Sequence, residues 1–336
     1  MKNFVLLLIT LFAGYNFSFA QEAVVKSPDE ALKIEMHLDS GKPVYSVYYN
    51  DKVVLERSRL GLKTNISDYS EALSLEGSKT TSVEKKYNSQ KLKNSEVNYQ
   101  ARELTATFTT PKGQKIDVIF RVSNNDIAFK YHLHKYSDTI AHVVTQEVTG
   151  FNFPNSAKSF LTPQSKSMVG FQRTKPSYEE GYYLDQPITK ASAHNMGYTF
   201  PGLFKTDDHW VLISETGVDG TYVGSHLSDP DAEGEYTIAF PHSTENNDFG
   251  NTGAAIALPF STPWRTITVG ENLKPIVETT IPFDVVEPLY EASQDYEFGR
   301  GVWSWIMWQD ASMKYEDQVT YIDLASQLGY EFILTR

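Results

Sequence analysis

The stretch that decides the fold is residues 34–55, IEMHLDSGKPVYSVYYNDKVVL. Apolar and polar residues alternate at period two over 34–38, and residues 44–49 are rich in aromatic and β-branched side chains. The turn sequences DSGK and ND divide the stretch into three short runs. Runs of strand length joined by such turn residues are typical of antiparallel hairpins, so the stretch predicts a β-meander.

The same pattern continues along most of the chain. Further runs of strand type occupy residues 104–109, 116–122, 127–133, 210–214, 236–240 and 265–269. No pattern of a long helix precedes residue 311. Many short strands separated by turn sequences predict a mainly β fold with a large antiparallel sandwich.

The end of the chain, residues 299–336, follows a different pattern. A strand-like run over 302–308 precedes an amphipathic helix, and a second strand-like run follows over 330–334. The apolar residues at helical spacing are Val319, Ile322, Ala325 and Leu328. Gly329 stands where a glycine ends a helix. This order predicts a βαβ unit, and since a (β/α)8 barrel needs roughly 250 residues, we expect only the start of a truncated barrel.

Three regions are therefore expected: a signal peptide over 1–20, a β-sandwich over 21–285 and the barrel start over 286–336. Lys2 precedes an apolar run over 4–13, and SFA at 18–20 is a cleavage sequence. The run is shorter than the ~20 residues of a spanning helix. We expect an exported protein, periplasmic or secreted, with no membrane span once the signal is removed.

Composition narrows the class of function. The formal charge of −12 disfavours nucleic acid and anionic lipid as partners, and the absence of cysteine excludes disulfides. Phosphate-binding glycine loops, GxSxG and HExxH are also absent from the sequence. Aromatic residues make up 13% of the chain, which fits both sugar stacking and a packed sandwich core. The carboxylates and aromatics that remain suit glycoside chemistry.

Several residues are candidates for a site, and each has a purely structural alternative. Trp303, Trp305 and Trp308 lie on or after the first predicted barrel strand, where an indole either stacks on a sugar ring or packs in the core. Glu215 ends a strand beside a glycine-rich loop, as a Ca²⁺ ligand or as an exposed acid. Arg265 is placed to pair with a carboxylate, whereas a lone histidine such as His226 is usually structural.

Taken in order along the chain, a set of short motifs resembles glycoside hydrolase family 97. The motifs are SPD at 27–29, GKP at 41–43 followed by Tyr45 and Val47, SRLG at 58–61, FR at 120–121 with AF at 128–129, PSYEE at 176–180, ISE at 213–215 followed by Tyr222 and GSHL at 224–227, WRTITVGENL at 264–273, and GRGVWSW at 299–305. Each is weak alone, but their number and order cover nearly the whole mature chain.

The resemblance implies a galactose-mutarotase-like β-supersandwich followed by a catalytic (β/α)8 barrel. It implies an exo-acting, calcium-dependent α-glucosidase or α-galactosidase whose substrates are oligosaccharides, with Glu215 of the ISE motif as one calcium ligand. The general acid and the base or nucleophile belong to later barrel strands, so no catalytic residue is assigned and the stereochemistry stays open. We expect the fragment to be inactive, and residues 299–336 either to be poorly anchored or to lean on the sandwich, while the sandwich itself folds.

Two other functions remain open at this stage. The first is a non-catalytic carbohydrate-binding β-sandwich, which would bind sugars without the barrel. The second is a mutarotase-like epimerase, which would need a histidine and a glutamate together in the sandwich cleft. His226 and Glu215 are the candidates for such a pair.

Overall fold

The computed structural model of the chain describes residues 22–89, 92–136, 141–166, 181–245, 253–290, 293–294 and 296–335. The predicted signal peptide and the PSYEE motif lie outside the described residues. The chain divides into two compact units, Met1–Glu287 and Pro288–Arg336, and each is taken by itself.

Short strands dominate the described part of the first unit. They are β1 (Glu22–Lys26), β2 (Leu32–Asp39), β3 (Lys42–Tyr49), β4 (Lys52–Arg59), β5 (Leu62–Thr64), β6 (Ser74–Asn88), β7 (Glu96–Thr109), β8 (Lys115–Val122), β9 (Asp126–Leu133), β10 (Ala141–Glu147), β11 (Gly150–Asn152), β12 (Lys158–Leu161), β13 (Tyr183–Pro187), β14 (Gly202–Lys205), β15 (Trp210–Thr216), β16 (His226–Leu227), β17 (Glu235–Ala239), β18 (Ala254–Ala257), β19 (Phe260–Ser261) and β20 (Trp264–Gly270). Two short helices follow, α1 (Lys274–Glu278) and α2 (Ile281–Asp284).

The predicted meander is confirmed as the four-stranded sheet β1-β2-β3-β4. The turn between β2 and β3 uses Ser40 and Gly41, and the turn between β3 and β4 uses Asn50 and Asp51. All four residues have positive φ, between 50° and 83°, which is the backbone conformation that glycine, asparagine and aspartate tolerate best. The turn chemistry therefore fixes the register of the meander.

A ten-stranded antiparallel sheet forms the second layer, in the order β13-β12-β14-β15-β20-β9-β8-β7-β6, with β19 paired to β9. Two three-stranded sheets, β18-β10-β5 and β11-β17-β16, complete the unit. Tyr45 of the meander packs on Phe120 and Phe129 of the large sheet, with ring centroids 5.8 and 5.6 Å away. The predicted mainly β fold of antiparallel sheets is confirmed, and its main core lies between these layers.

The opposite face of the large sheet carries a second, smaller core. It consists of Tyr99, Ala101, Ala128, Trp264, Ile281 and Val285. The last two residues belong to α2 and its C-cap, so this short helix covers part of the outer face. Asp284, the last residue of α2, is buried beneath it.

The second unit contains a βαβ arrangement. Its elements are β21 (Gly301–Trp303), α3 (Trp305–Trp308), a 3₁₀ turn (Gln309–Ser312), α4 (Tyr315–Gln327) and β22 (Phe332–Leu334). The two strands pair in parallel, with Gly301 opposite Phe332 and Trp303 opposite Leu334. Gly329, with φ of 62°, ends α4: its N–H donates to Ser326 and the N–H of Tyr330 donates to the carbonyl of Ala325.

The predicted strand over 302–308 is wrong beyond Trp303. The chain turns into α3 at Ser304, whose buried hydroxyl lies 3.1 Å from that of Ser312 and accepts from the side chain of Gln318 at 2.8 Å. These bonds tie the strand end to the following turn and to α4. Residues 305–308 therefore form a helical turn and not a strand.

Among the described residues, no helix is both long and apolar enough to cross a membrane.

Candidate functional site

Glu215 lies near the end of β15, directly opposite Arg265 on β20. Period-two alternation places Glu215 on the same side of its strand as the buried residues Val211 and Ile213. Arg265 likewise shares a face with Ile267, which is fully buried. A carboxylate and a guanidinium are thus carried to the core-facing side of neighbouring strands.

Arg265 joins two carboxylates and is only 1% exposed. Its Nε and Nη2 donate to the two oxygens of Glu147, at 3.0 and 2.6 Å, in the fork geometry that arginine and carboxylate share. Its Nη1 donates to Oε2 of Glu215 and, at 2.9 Å, to Oγ of Ser225. We call Glu147, Arg265 and Glu215 the buried triad.

The buried triad carries a net charge of −1 when all three groups are ionised. Burial by itself would lower the pKa of Arg265, but the adjacent carboxylates of Glu147 and Glu215 outweigh burial and raise it. The guanidinium is therefore protonated and positively charged. One unit of negative charge is left over for a cationic ligand.

Ser225 holds the outer carboxylate in place. Its backbone N–H donates to Oε1 of Glu215 at 3.1 Å, and its hydroxyl donates to Oε2 at 2.6 Å. The side chain of Glu215 is 14% exposed, whereas that of Glu147 is completely buried. Glu215 is therefore the member of the buried triad that a ligand can reach.

A chain of hydroxyls supports the inner carboxylate. The N–H of Gly61 donates to the hydroxyl of Tyr131 at 2.9 Å. Because the one hydroxyl proton of Thr149 goes to Glu147, Tyr131 donates to Thr149, 2.7 Å away. The hydroxyl of Thr149 donates to Oε1 of Glu147 at 2.9 Å. This hydrogen bond fixes the orientation of the Glu147 carboxylate, which in turn orients Arg265.

The donor set around Glu215 fits a single-oxygen metal ligand. Oε2 already accepts from Arg265 and Ser225, whereas among the residues that the structure describes Oε1 accepts the Ser225 N–H alone and keeps a lone pair. Ca²⁺ takes six to eight oxygens, including monodentate carboxylates. Within the described residues Glu215 belongs to no group of three or more metal-ligating side chains, so other ligands would be needed.

His226 does not join Glu215 in the described structure. The side chain is buried in β16, and burial lowers its pKa to about 4, so the imidazole is neutral at physiological pH. The neighbouring Ser225 is the residue that contacts Glu215. The histidine–glutamate pair needed for an epimerase is therefore not formed by these two side chains.

The three tryptophans of the second unit form two separate contacts. Trp303 and Trp305 stack on each other, with ring centroids 5.2 Å apart and planes inclined by 20°. Trp308 instead meets Tyr321 of α4 edge to face at 5.0 Å and is 44% exposed. Trp308 is thus the most accessible indole of the three, and their role in sugar binding stays a prediction.

Comparison with known proteins places most of the chain in one family. Residues 25–288 match the family described as Glycosyl-hydrolase 97 N-terminal. A probable retaining α-galactosidase from Streptomyces bingchenggensis (strain BCW-1) is 25% identical over 304 residues, which are 90% of this chain and 44% of that protein.

Solved structures agree with this match. A crystal structure of a β-arabinopyranosidase is 52% identical with a TM-score of 0.88, over 93% of this chain and 50% of that one. A glycoside hydrolase family 97 enzyme from Pseudoalteromonas sp. strain K8, in complex with panose, is 22% identical with a TM-score of 0.75, over 94% of this chain and 47% of that one, and at this identity the likeness shows the fold alone. The chain spans about half the length of these relatives.

Proposed function

Because the chain belongs to the Glycosyl-hydrolase 97 N-terminal family, we propose that it is the N-terminal part of an exo-acting glycoside hydrolase for α-galactosides or β-arabinopyranosides. The observation that carries the proposal is the likeness to a β-arabinopyranosidase at 52% identity. The α-galactosidase relative supports the same class of sugar.

The two sugars are close in shape. A β-L-arabinopyranoside has the ring configuration of an α-D-galactopyranoside and lacks only the hydroxymethyl group at C5. A pocket for one accepts the other if the space and the polar groups around C5 allow it. An oligosaccharide ending in either sugar is therefore the proposed substrate, ahead of an α-glucoside.

We propose Ca²⁺ as the cofactor, with Glu215 as one ligand. Support comes from the net negative charge of the buried triad and from the lone pair that Oε1 of Glu215 keeps. When bound, the cation would polarise a substrate oxygen as a Lewis acid. The neighbouring residues position the Glu215 carboxylate for the cation. Arg265 and Ser225 hold the carboxylate in place, and Glu147 holds Arg265.

We also propose that the second unit begins a (β/α)8 barrel and that Trp308 contacts the sugar. The parallel pairing of β21 and β22 around α4 supports the first point, since parallel strands need a crossover of this kind. The exposure of Trp308 supports the second. Because the chain spans about half the length of its relatives, residues 22–336 alone are expected to be inactive. We also propose that the protein is exported to the periplasm or the medium.

The test compares the full-length gene product with residues 22–336. Hydrolysis of p-nitrophenyl α-galactoside, β-L-arabinopyranoside and α-glucoside is measured with and without Ca²⁺. We expect the full-length product to cleave the first two in preference to the third, and residues 22–336 to cleave none. A preference for the α-glucoside would overturn the proposed substrate, and turnover by residues 22–336 would overturn the proposed inactivity.

A further inference from the structure

A second group of candidate ligands lies on the outer face of the meander. The alternation over 34–38 that predicts β2 sends Ile34 and Met36 into the main core. Glu35 and His37 therefore share the opposite face, because successive strand residues point to opposite sides of a sheet. Glu22 of β1 lies directly opposite His37 in the register of the two strands, so its side chain belongs to the same face.

The three side chains bring their ligand atoms together. One carboxylate oxygen of Glu22, one of Glu35 and a ring nitrogen of His37 all lie within 4.8 Å of one another. Lys33 bonds to Oε1 of Glu35 at 2.8 Å, which leaves Oε2 as the oxygen that lies 4.0 Å from Nε2 of His37. This distance is too long for a hydrogen bond. With both carboxylates ionised and the imidazole neutral, the four side chains carry a net charge of −1.

The spacing suits a transition-metal ion. Zn²⁺ binds imidazole nitrogen and carboxylate oxygen at about 2.0–2.2 Å, so tetrahedral coordination separates two such ligands by about 3.3 Å. Nε2 of His37 and Oε2 of Glu35 would approach each other by less than about 1 Å to reach that separation. In the part of the chain that the structure describes, neither the imidazole of His37 nor the carboxylate of Glu22 forms a hydrogen bond, so both can turn toward an ion.

Ser46 of β3 supplies an independent observation. It lies directly opposite Glu35, so its side chain shares the outer face. The residue is only 5% exposed, and its hydroxyl has no hydrogen-bond partner among the described residues. The hydroxyl oxygen is not one of the fully enclosed polar atoms, so it opens to the same surface as the carboxylate. Buried hydroxyls are normally hydrogen-bonded, so this orphan beside Glu35 indicates an absent polar group.

We propose that Glu22, Glu35 and His37 bind a divalent transition-metal ion of the Zn²⁺ class, with a water molecule as a fourth ligand that donates to the hydroxyl of Ser46. The donor set decides the class of metal. Neutral imidazole suits Zn²⁺ and its neighbours, whereas Ca²⁺ and Mg²⁺ prefer ligands that are all oxygen. Three protein ligands and one water are the usual arrangement of an open zinc site.

The ion has a structural consequence. In the described structure β1 is the edge strand of its four-stranded sheet and is paired with β2. Since Glu22 belongs to β1 and the other two ligands belong to β2, a shared ion cross-links the two strands and stabilises this edge. The site shares no residue with the buried triad, and the proposal holds whether or not Glu215 binds calcium.

The experiment titrates Zn²⁺ calorimetrically into the full-length gene product, which carries no polyhistidine tag and has been stripped of metal with EDTA. After removal of the EDTA, saturating Ca²⁺ is present throughout, so that any calcium site is already filled. His37→Asn removes the ring nitrogen, Glu22→Gln removes a charge and Ser46→Ala removes the hydroxyl. Circular dichroism establishes that each variant is folded.

His134→Asn is the matched control. His134 also has a partly exposed side chain and lies 2.8 Å from a carboxylate, that of Asp117. Among the described residues, however, it belongs to no group of three ligating side chains. A histidine beside a single carboxylate is therefore compared with a histidine beside two.

We expect the wild type and His134→Asn to bind Zn²⁺ with equal affinity. His37→Asn and Glu22→Gln should lose the site or about tenfold or more in affinity, and Ser46→Ala should weaken binding by a smaller factor, because its hydroxyl meets the ion through water. Zn²⁺ should raise the Tm of the wild type and leave that of His37→Asn unchanged. Identical isotherms for the wild type and His37→Asn, equal losses in His37→Asn and His134→Asn, or no binding of Zn²⁺ in the presence of Ca²⁺ would overturn the proposal.

Discussion

Arg265 and Glu147 form a two-pronged ion pair that is shut off from solvent, with the shorter contact at 2.6 Å. The two residues are 118 positions apart in the chain, on β20 and β10. Because the guanidinium also reaches Glu215, the pair fixes the position of the residue proposed to bind calcium. Its loss therefore affects both stability and the site.

Glu147→Gln should destabilise the sandwich strongly. Breaking a buried ion pair typically costs about 3–5 kcal/mol, and because Arg265 keeps its pair with Glu215 the expected loss lies toward the lower end of that range. Glu103→Gln is the control, since its bond to Arg121 is half-buried and such pairs contribute about 1 kcal/mol or less. Urea unfolding, followed by tryptophan fluorescence, gives the free energy of unfolding of both variants. Equal losses of this free energy would show that burial does not determine how much the ion pair contributes to stability.

Glu215→Gln tests the calcium ligand. The amide keeps the shape of the side chain but removes the charge that would face the cation, so the Ca²⁺ concentration for half-maximal activity of the full-length gene product should rise about tenfold or more. Glu147 and Ser225 remain in place, so the fold is expected to persist. Activity is assayed across a Ca²⁺ series with Glu103→Gln beside it, and an unchanged calcium requirement would count against the ligand.

Much of the fold could be predicted because its signals are local. The meander follows from alternation and from the turn residues at 39–42 and 50–51, each of which acts within a few positions. The end of α4 at Gly329 is local in the same way, since a positive φ requires such a residue. The prediction of a strand over 302–308 is wrong because the chain turns at Ser304, which accepts a hydrogen bond from Gln318, 14 residues further on. No residue near Ser304 in the sequence indicates that contact.

The candidate site was only partly predictable. The sequence leaves Arg265 either as the partner of a carboxylate or as a structural residue. The structure pairs it with Glu147, which the sequence does not single out. Glu147 lies at the end of β10 in the sequence TQEVTG, which has no feature that separates this glutamate from an ordinary surface acid. Only the fold brings Glu147 next to Arg265 on β20. Ser225 was visible only as part of a motif, since its role depends on Glu215 being ten residues away and facing it.

Trp308→Ala tests the proposed sugar contact. An exposed indole stacked on a sugar contributes about 0.5–1.5 kcal/mol, so the variant should raise KM of the full-length gene product about 2–10-fold with little change in kcat. Met307→Ala is the matched control, because Met307 lies beside it in α3 and is more exposed. The same rise in both variants would assign the effect to α3 and not to the indole.

Sugar binding by residues 22–336 separates an enzyme fragment from a carbohydrate-binding module. If the sandwich lacks a sugar site of its own, calorimetry with galactosides, arabinopyranosides and maltooligosaccharides should give no measurable heat of binding. Lysozyme serves as the inert protein control for heats of dilution. Micromolar binding would instead support the non-catalytic carbohydrate-binding sandwich.

Asp126 predicts an unusual dependence of stability on pH. Its pKa is about 6 in the folded protein and 3.8 in the unfolded chain, because burial, and then the charge of Asp284, disfavour the carboxylate. Below pH 3.8 both states are protonated and nothing is lost; between pH 3.8 and 6 the unfolded state ionises first, so stability falls as pH rises. Above pH 6 the full loss is about 3 kcal/mol.

The check compares the free energy of unfolding of wild type and Asp126→Asn in EDTA from pH 4 to 8. The variant should gain on the wild type as pH rises through this window, by about 3 kcal/mol at most. Glu35→Gln is a control for which the pH dependence has the opposite sign. The hydrogen bond from Lys33 lowers the pKa of Glu35, so the ionised side chain stabilises the folded state above pH 4.5, and this variant should lose stability relative to the wild type as pH rises. A pH-independent difference between wild type and Asp126→Asn would mean that Asp126 is not held in a low-polarity site.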